Sequence, residues 1–305
     1  MKIFSGTAHV ALAQEIATLL DAQIGKSEVV RFENSEVRVR VEDSVRGQDC
    51  VIIQTTSNPT DAHLMELFFF CDALRREQAR SITAVIPYFC YARQNIQHRS
   101  GEGVSAHVVI RLLESMGINR IVTCDIHDEG SMGIFSVPLT HITTLPILAQ
   151  QVHQYLGEVS MDTVAIVSPD QGGIERTRTF GSALFGTPDF DLVVVEKRRD
   201  QNKIHTSGAV QLYGDVKGKA VVIVDDVTTS GGTLIHAAEA CMQAGATKAV
   251  SAIAHHDLGT SAPQKIQNSP IEKLFTTNTI KLTDEMKFDK LHEVSIASLL
   301  AQSIK

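Results

Sequence analysis

Short runs of apolar and β-branched residues constrain this chain most. They are Val51-Ile52-Ile53, Ile82-Thr83-Ala84-Val85-Ile86, Ile121-Val122-Thr123, Val164-Ala165-Ile166-Val167, Leu192-Val193-Val194-Val195 and Val221-Val222-Ile223-Val224. A strand that is apolar on both faces must be covered on both faces, which is the condition of a strand inside a parallel sheet. Between these runs the apolar residues recur at helical spacing, with Leu12, Ile16, Leu19 and Leu20 predicted on one face and Leu64, Leu67, Phe68, Cys71 and Leu74 on another. Strand-like and helix-like segments that alternate from end to end specify an α/β fold with a mostly parallel sheet flanked by helices. The stretch Val37 to Val41 alternates with Arg38 and Arg40 instead, the pattern of an exposed strand near an edge.

At 305 residues the chain exceeds one ordinary core, and two domains are expected. A weak internal duplication supports that division. In the first half one strand ends at Pro87 and the next at Asp125; in the second, one ends at Pro169 and another at Asp225-Asp226. The boundary is placed near Leu145-Pro146, giving domains 1–145 and 146–305. The polar stretch Asp200 to Gly208 is expected to be a mobile loop.

The net charge of −7 argues against nucleic acid or an anionic membrane as partner. No apolar run approaches the length of a membrane span, and the N-terminus runs straight into a strand-like start without a signal-peptide core. The five cysteines show no CxxC spacing and read as buried small hydrophobes of a reducing compartment, so a cytoplasmic protein is expected.

The strongest chemical signal lies at the carboxyl end of the last apolar run. Val221 to Val224 leads into Asp225-Asp226-Val227-Thr228-Thr229-Ser230-Gly231-Gly232-Thr233, and a helical pattern begins at Leu234. Ligands of open α/β sheets bind outside the carboxyl ends of the strands. Backbone N–H groups at a turn that opens a helix suit a phosphate, and the paired glycines let the backbone come close to it. Asp225 and Asp226 are acceptors, suited to sugar hydroxyls and not to phosphate. No GxxxxGK[ST] loop exists. A merely capped helix needs one Ser or Thr, not two aspartates ahead of a double glycine.

These residues resemble the phosphoribosyl-binding motif shared by type I phosphoribosyltransferases and ribose-phosphate pyrophosphokinases. The rest of the chain is similar to the pyrophosphokinase family from Lys2 to Ser295-Ile296-Ala297-Ser298-Leu299-Leu300. It carries in order Arg31 to Glu36, Val45-Arg46-Gly47, Leu64-Met65-Glu66-Leu67, Asp72 to Arg76, Ile86 to Phe89, Tyr91-Ala92-Arg93-Gln94, Ser168-Pro169-Asp170 and Glu196-Lys197-Arg198-Arg199. The resemblance implies two phosphoribosyltransferase-like domains and transfer of a pyrophosphoryl group from Mg-ATP to ribose 5-phosphate. It implies Lys197 and Arg199 as catalytic cations, and Arg199 with Asp225, Asp226, Thr229, Ser230, Gly231, Gly232 and Thr233 around ribose 5-phosphate. Phe32, Asn34, Ser35, Glu36, Arg93 and Gln94 are implied as ATP contacts, and His127 and Asp170 as magnesium-associated positions. It also implies a homo-oligomer, a hexamer or another assembly based on dimers, in which a neighbouring subunit completes the nucleotide site.

The chain departs from that pattern in three places. Asn95 stands where well-studied members carry Asp, Thr229 stands where they usually carry Asp, and Asp128 to Met132 replaces a small-polar and Gln-rich run. A phosphoribosyltransferase, and a non-catalytic relative that assembles with an active enzyme, are the competing readings. Against the first stand the Arg93-Gln94 and Phe32 features; against the second stand Lys197 and Arg199.

Overall fold

The computed structural model describes residues 1–197 and 210–305. In chain order the first elements are β1 (Lys2–Ser5), α1 (Val10–Leu19), β2 (Ser27–Arg31), β3 (Val37–Val41), β4 (Asp49–Ile53), α2 (Thr60–Arg76), β5 (Ser81–Ile86), α3 (Ser105–Ser115), β6 (Arg120–Cys124) and β7 (Leu139–Ile142). Then come α4 (Leu145–Leu156), β8 (Val164–Ser168), α5 (Ile174–Phe185), β9 (Leu192–Lys197), β10 (Val210–Tyr213), β11 (Ala220–Thr228), α6 (Gly232–Gln243), β12 (Lys248–His256), α7 (Ala262–Gln267), β13 (Ile271–Thr277), β14 (Leu291–Val294) and α8 (Ala297–Ile304).

Two compact units result. The first holds 1–143, 279–281 and 295–305; the second holds 144–278 and 282–294. The parallel sheet of the first unit runs β1-β4-β5-β6-β7, and β2 and β3 form a separate antiparallel hairpin. In the second unit the order is β10-β9-β8-β11-β12-β13-β14, parallel except where β10 runs against β9.

The apolar runs are buried because successive side chains feed opposite layers. Ile52 of β4 joins the core with Leu67, Phe70 and Leu74 of α2, whereas Val51 and Ile53 join the core with Leu12 and Ile16 of α1 and Leu300 of α8. On β11, Val221 and Ile223 pack with α6 while Val222 and Val224 pack with Leu148 of α4 and Phe180 of α5. Two helical faces differ in detail from the expected ones. The buried arc of α1 is Leu12, Ala13, Ile16 and Ala17, which leaves Leu19 on its margin and half exposed. On α2 it is Phe70 that is fully buried, while Phe68 packs part-buried in the layer that also holds Val29, Val39 and Val41 of the hairpin.

The duplication is present in a different register from the one expected. The strand order β1-β4-β5-β6-β7 corresponds to β8-β11-β12-β13-β14, with the β2–β3 hairpin between β1 and β4 and the β9–β10 hairpin between β8 and β11. Asp225-Asp226 therefore corresponds to the end of β4 and not to Asp125 at the end of β6. The helices that close each repeat change units. α4 follows β7 yet contributes Leu145, Leu148, Ala149 and Val152 to the second unit's core, and α8 follows β14 yet lays Leu300, Ala301 and Ile304 into the first unit's. The chain divides at 143/144, and 279–281 and 295–305 belong to the first unit, where α8 buries its apolar stripe against α1.

Candidate functional site

The carboxyl end of β11 delivers Asp225 and Asp226, both buried. Arg176, in the first turn of α5, reaches them with one guanidinium nitrogen, 2.7 Å from Asp225 Oδ1 and in contact with Asp226 Oδ1. Asp225 Oδ1 also accepts the Asp226 N–H at 2.9 Å. Burial, then the Asp226 charge, pushes the Asp225 carboxyl well above the usual carboxylate range, and the guanidinium opposes that rise. Burial likewise works against the charge on Arg176, but Asp226 and Asp225 outweigh it and hold the guanidinium protonated. Asp170 adds a further attractive charge from the turn before α5. Sequence reasoning missed Arg176. A cation in the first turn of a helix opposes the helix dipole, and that misfit was the available signal of a specific anionic partner.

The turn after β11 opens outward. Thr229 and Ser230 are exposed, and Gly231 takes φ 75° as the residue before α6. A Cβ on Gly231 would sit 2.7 Å from Ile266, so both the backbone conformation and the packing demand glycine. Gly232 N–H donates to Ser230 Oγ at 3.3 Å, and the Thr229 carbonyl accepts the Gly259 N–H at 2.9 Å. Gly231 offers α6 no side-chain cap, and Thr233 is exposed in the first turn, so a phosphate can take the place of a cap at this helix start.

The turn after β4, which holds the place of β11 in the first unit's strand order, offers a comparison. Thr55-Thr56-Ser57-Asn58-Pro59-Thr60 repeats the T-T-S-x-x-T spacing of Thr228 to Thr233. There the hydroxyls serve the protein itself. Thr55 Oγ1 donates to the Thr279 carbonyl at 2.8 Å, and Thr56 Oγ1 donates to the Tyr88 carbonyl at 2.7 Å and accepts the Cys90 N–H at 2.9 Å. Thr55, Thr56 and Ser57 are buried, and Pro59 occupies the capping position of α2.

Asp170 is exposed after β8, and its Oδ1 accepts the Gly173 N–H at 3.0 Å. Magnesium commonly takes one or two protein carboxylates and completes its shell with substrate phosphates and waters, so an exposed carboxylate of this kind fits it. Among the described residues no group of three or more His, Cys, Asp or Glu side chains is arranged to hold a metal ion. Lys197 is the last residue of β9, and its backbone pairs with Val210. Arg199 and the polar stretch Asp200 to Gly208 lie outside the described residues.

The first unit carries the remaining candidates. Phe32, Asn34, Ser35 and Glu36 form the tip between β2 and β3, closed by Phe32 N–H to the Glu36 carbonyl at 2.8 Å and by Glu36 N–H to Asn34 Oδ1 at 3.2 Å. Ser35 holds φ 70° at that turn. The Phe32 ring is 45% exposed, and the Arg38 guanidinium stands 5.9 Å from its centroid, so an aromatic surface with a cation beside it faces outward. Arg93 and Gln94 are exposed in the loop after Tyr91, which has φ 57° and bonds Asp61 through its hydroxyl. Gln94 Oε1 accepts the Ser105 hydroxyl at 2.6 Å, which ties the loop to the start of α3. His127 is half-buried three residues beyond β6, just after Asp125, whose φ of 35° marks a constrained strand end. Asn95 donates to Asp128, which brings the Arg93-Gln94 loop to the His127 loop. The hairpin tip is held by bonds within itself.

Residues 1–117 match the N-terminal domain of ribose phosphate pyrophosphokinase, and residues 187–305 match the phosphoribosyl synthetase-associated domain. A Bacillus subtilis ribose-phosphate pyrophosphokinase is 36% identical over 304 residues, covering 100% of this chain and 93% of the relative. A Streptococcus pyogenes ribose-phosphate pyrophosphokinase 1 is 38% identical with the same coverage. The crystal structure of phosphoribosylpyrophosphate synthetase from Mycobacterium smegmatis superposes with a TM-score of 0.91 at 33% identity, covering 99% of this chain and 97% of that one. With relatives matched at this identity over its whole length, and both family domains found in order, the chain belongs to the ribose-phosphate pyrophosphokinase family.

Proposed function

We propose that this enzyme transfers the pyrophosphoryl group of Mg-ATP to the C1 hydroxyl of ribose 5-phosphate, giving phosphoribosyl pyrophosphate and AMP for nucleotide biosynthesis. The observation that carries the reading is the contrast between the two T-T-S-x-x-T turns. One spends the hydroxyls of Thr55 and Thr56 on the fold, and the other leaves Thr229, Ser230 and Thr233 exposed beside two buried carboxylates. In this reading the first-turn N–H groups of α6, with Thr229, Ser230 and Thr233, hold the 5-phosphate. Asp225 and Asp226 accept hydrogen bonds from ribose hydroxyls, with Arg176 fixing one oxygen of each. The C1 oxygen attacks the β-phosphorus of ATP, the bond from that phosphorus to the α-phosphate oxygen breaks, AMP leaves with that oxygen, and the C1 hydroxyl proton passes to solvent.

Such a transfer needs charge neutralisation and alignment more than covalent help. Lys197 and Arg199 supply cations at the transferring group, Arg93 and Gln94 hold the ATP phosphates, and Phe32 stacks on the base with Asn34, Ser35 and Glu36 beside it. His127 and Asp170 hold magnesium, directly or through its waters. The ion, when bound, draws off negative charge from the phosphates. The protein works as a homo-oligomer in the cytoplasm; its five cysteines are buried and form no disulfide, as a reducing compartment allows. Among the described residues no helix is long and apolar enough to cross a membrane.

The test is AMP formation from ATP and ribose 5-phosphate by the purified protein alone. AMP released in step with phosphoribosyl pyrophosphate supports the reading. Consumption of added phosphoribosyl pyrophosphate by a nucleobase, with no AMP from ATP, would make it a phosphoribosyltransferase. Activity only after mixing with a second synthetase would make it a non-catalytic relative.

A further inference from the structure

One side-chain contact joins two loops of the first unit that carry candidate residues. The Asn95 side-chain amide donates to Asp128 Oδ2. Asp128 Oδ1 accepts the Gly130 N–H at 3.0 Å, which caps the 3₁₀ turn Glu129–Ile134. The Asp128 carbonyl accepts the Ser131 N–H at 3.0 Å, so the carboxylate is held at both oxygens on an anchored segment. Asn95 directly follows Arg93-Gln94, and Asp128 directly follows His127. The Arg93-Gln94 loop is anchored to α3 through Gln94 and Ser105, and its next residue is tied to the 3₁₀ turn.

We propose that Asn95 and Asp128 form a positioning clamp that sets the Arg93-Gln94 arm against His127 and so governs affinity for the nucleoside triphosphate. The proposal rests on the assignment of that arm to ATP given above. The clamp carries a single negative charge, and both carboxylate oxygens are occupied by N–H donors, which limits its repulsion of a polyphosphate. An aspartate at position 95 would set two carboxylates in contact and drive the loops apart. Exchanging the two residues restores a donor facing an acceptor. An asparagine at 128 can still accept the Gly130 N–H through its oxygen while its NH2 group donates to the carboxylate at 95.

The experiment is steady-state kinetics on Asn95→Asp, Asp128→Asn, the double exchange and Arg93→Ala, with a thermal midpoint for each. Asn95→Asp should raise KM for ATP about tenfold, and the double exchange should bring it back to within about twofold of the parent, because contacting residues couple. KM for ribose 5-phosphate should stay within about twofold throughout, since its residues lie on the second unit. A double exchange no better than Asn95→Asp, or a parallel rise in KM for ribose 5-phosphate, overturns the clamp. Arg93→Ala separates the two levels. If it leaves KM for ATP unchanged, the nucleotide assignment itself fails and takes the clamp with it. If it raises that KM while the 95 and 128 variants do not couple, the clamp alone fails.

Discussion

Arg176 holds Asp225 through a 2.7 Å bond in which both side chains are largely withdrawn from water. Removing one partner of a buried pair leaves an uncompensated charge and costs about 3–5 kcal/mol, more than the pair contributes over well-packed apolar residues. Arg176→Ala is therefore expected to lower stability by that order in chemical denaturation. It should also raise KM for ribose 5-phosphate at least about tenfold, because both carboxylates lose the group that orients them. KM for ATP should move less than about twofold. Equal effects on both substrates would count against a role at the sugar.

The raised Asp225 carboxyl makes a signed prediction for pH. A carboxyl whose folded pKa lies above its unfolded value stabilises the fold below the ordinary value near 3.8, and that contribution is lost as pH rises through the folded value. Asp225→Asn removes this dependence. The melting temperature of the variant relative to the parent should become more favourable as pH rises from about 4 toward neutrality. A difference that is flat, or that falls with pH, would show that Asp225 is ionised freely in the fold.

Thr229 stands exposed in the outward-facing turn, and a hydroxyl donates to a phosphate where a carboxylate cannot. Thr229→Asp should weaken ribose 5-phosphate about fivefold, the effect of about 1 kcal/mol of screened like-charge repulsion. ATP should be unaffected. The check is the Michaelis constant of each substrate at fixed free magnesium, and an unchanged or improved value for ribose 5-phosphate would place the hydroxyl away from the phosphate.

Lys197 ends β9 on the sheet whose strand β11 leads into the Thr228 to Thr233 turn. Lys197→Ala should cut turnover by an amount equivalent to about 3–4 kcal/mol of transition-state stabilisation while ribose 5-phosphate binding changes little. Near-parental turnover would remove it from the catalytic set.

Leu300 of α8 is fully buried among Leu12, Ile16 and Val51. Leu300→Ala should cost about 2–5 kcal/mol in denaturant unfolding, as expected where a rigid core cannot collapse onto the void. A loss under about 1 kcal/mol would mean that α8 is loosely seated.

The α/β class was legible because apolar runs in β4, β5, β6, β8, β9 and β11 can be covered only in one way. The turn at Thr228 to Thr233 stood out in the sequence for a related reason, since Gly231 and the paired aspartates make poor sense in any plain capped helix. The register of the duplication was not. It is written in Thr55-Thr56-Ser57 and Thr228-Thr229-Ser230, small polar residues that hydrophobic periodicity passes over. Arg176 was missed because its partners lie 49 and 50 residues away in the chain. Asn95 and Asp128 read as separate departures from the family pattern, and only the fold reveals that they touch across 33 residues.

The exchange of α4 and α8 has a consequence for how the protein is made. A ribosome completes every strand of the first sheet by residue 142, but the side chains of α8 that cover Leu12 and Ile16 are added only at 297–304. Amino-terminal domains usually fold first during synthesis. Here the first unit leaves part of its α1 face open to water while the whole of the second sheet is translated. Nascent chains should therefore bind a hydrophobic-surface chaperone through α1 until residue 304 has cleared the exit tunnel, and no single cut can yield two complete folding units.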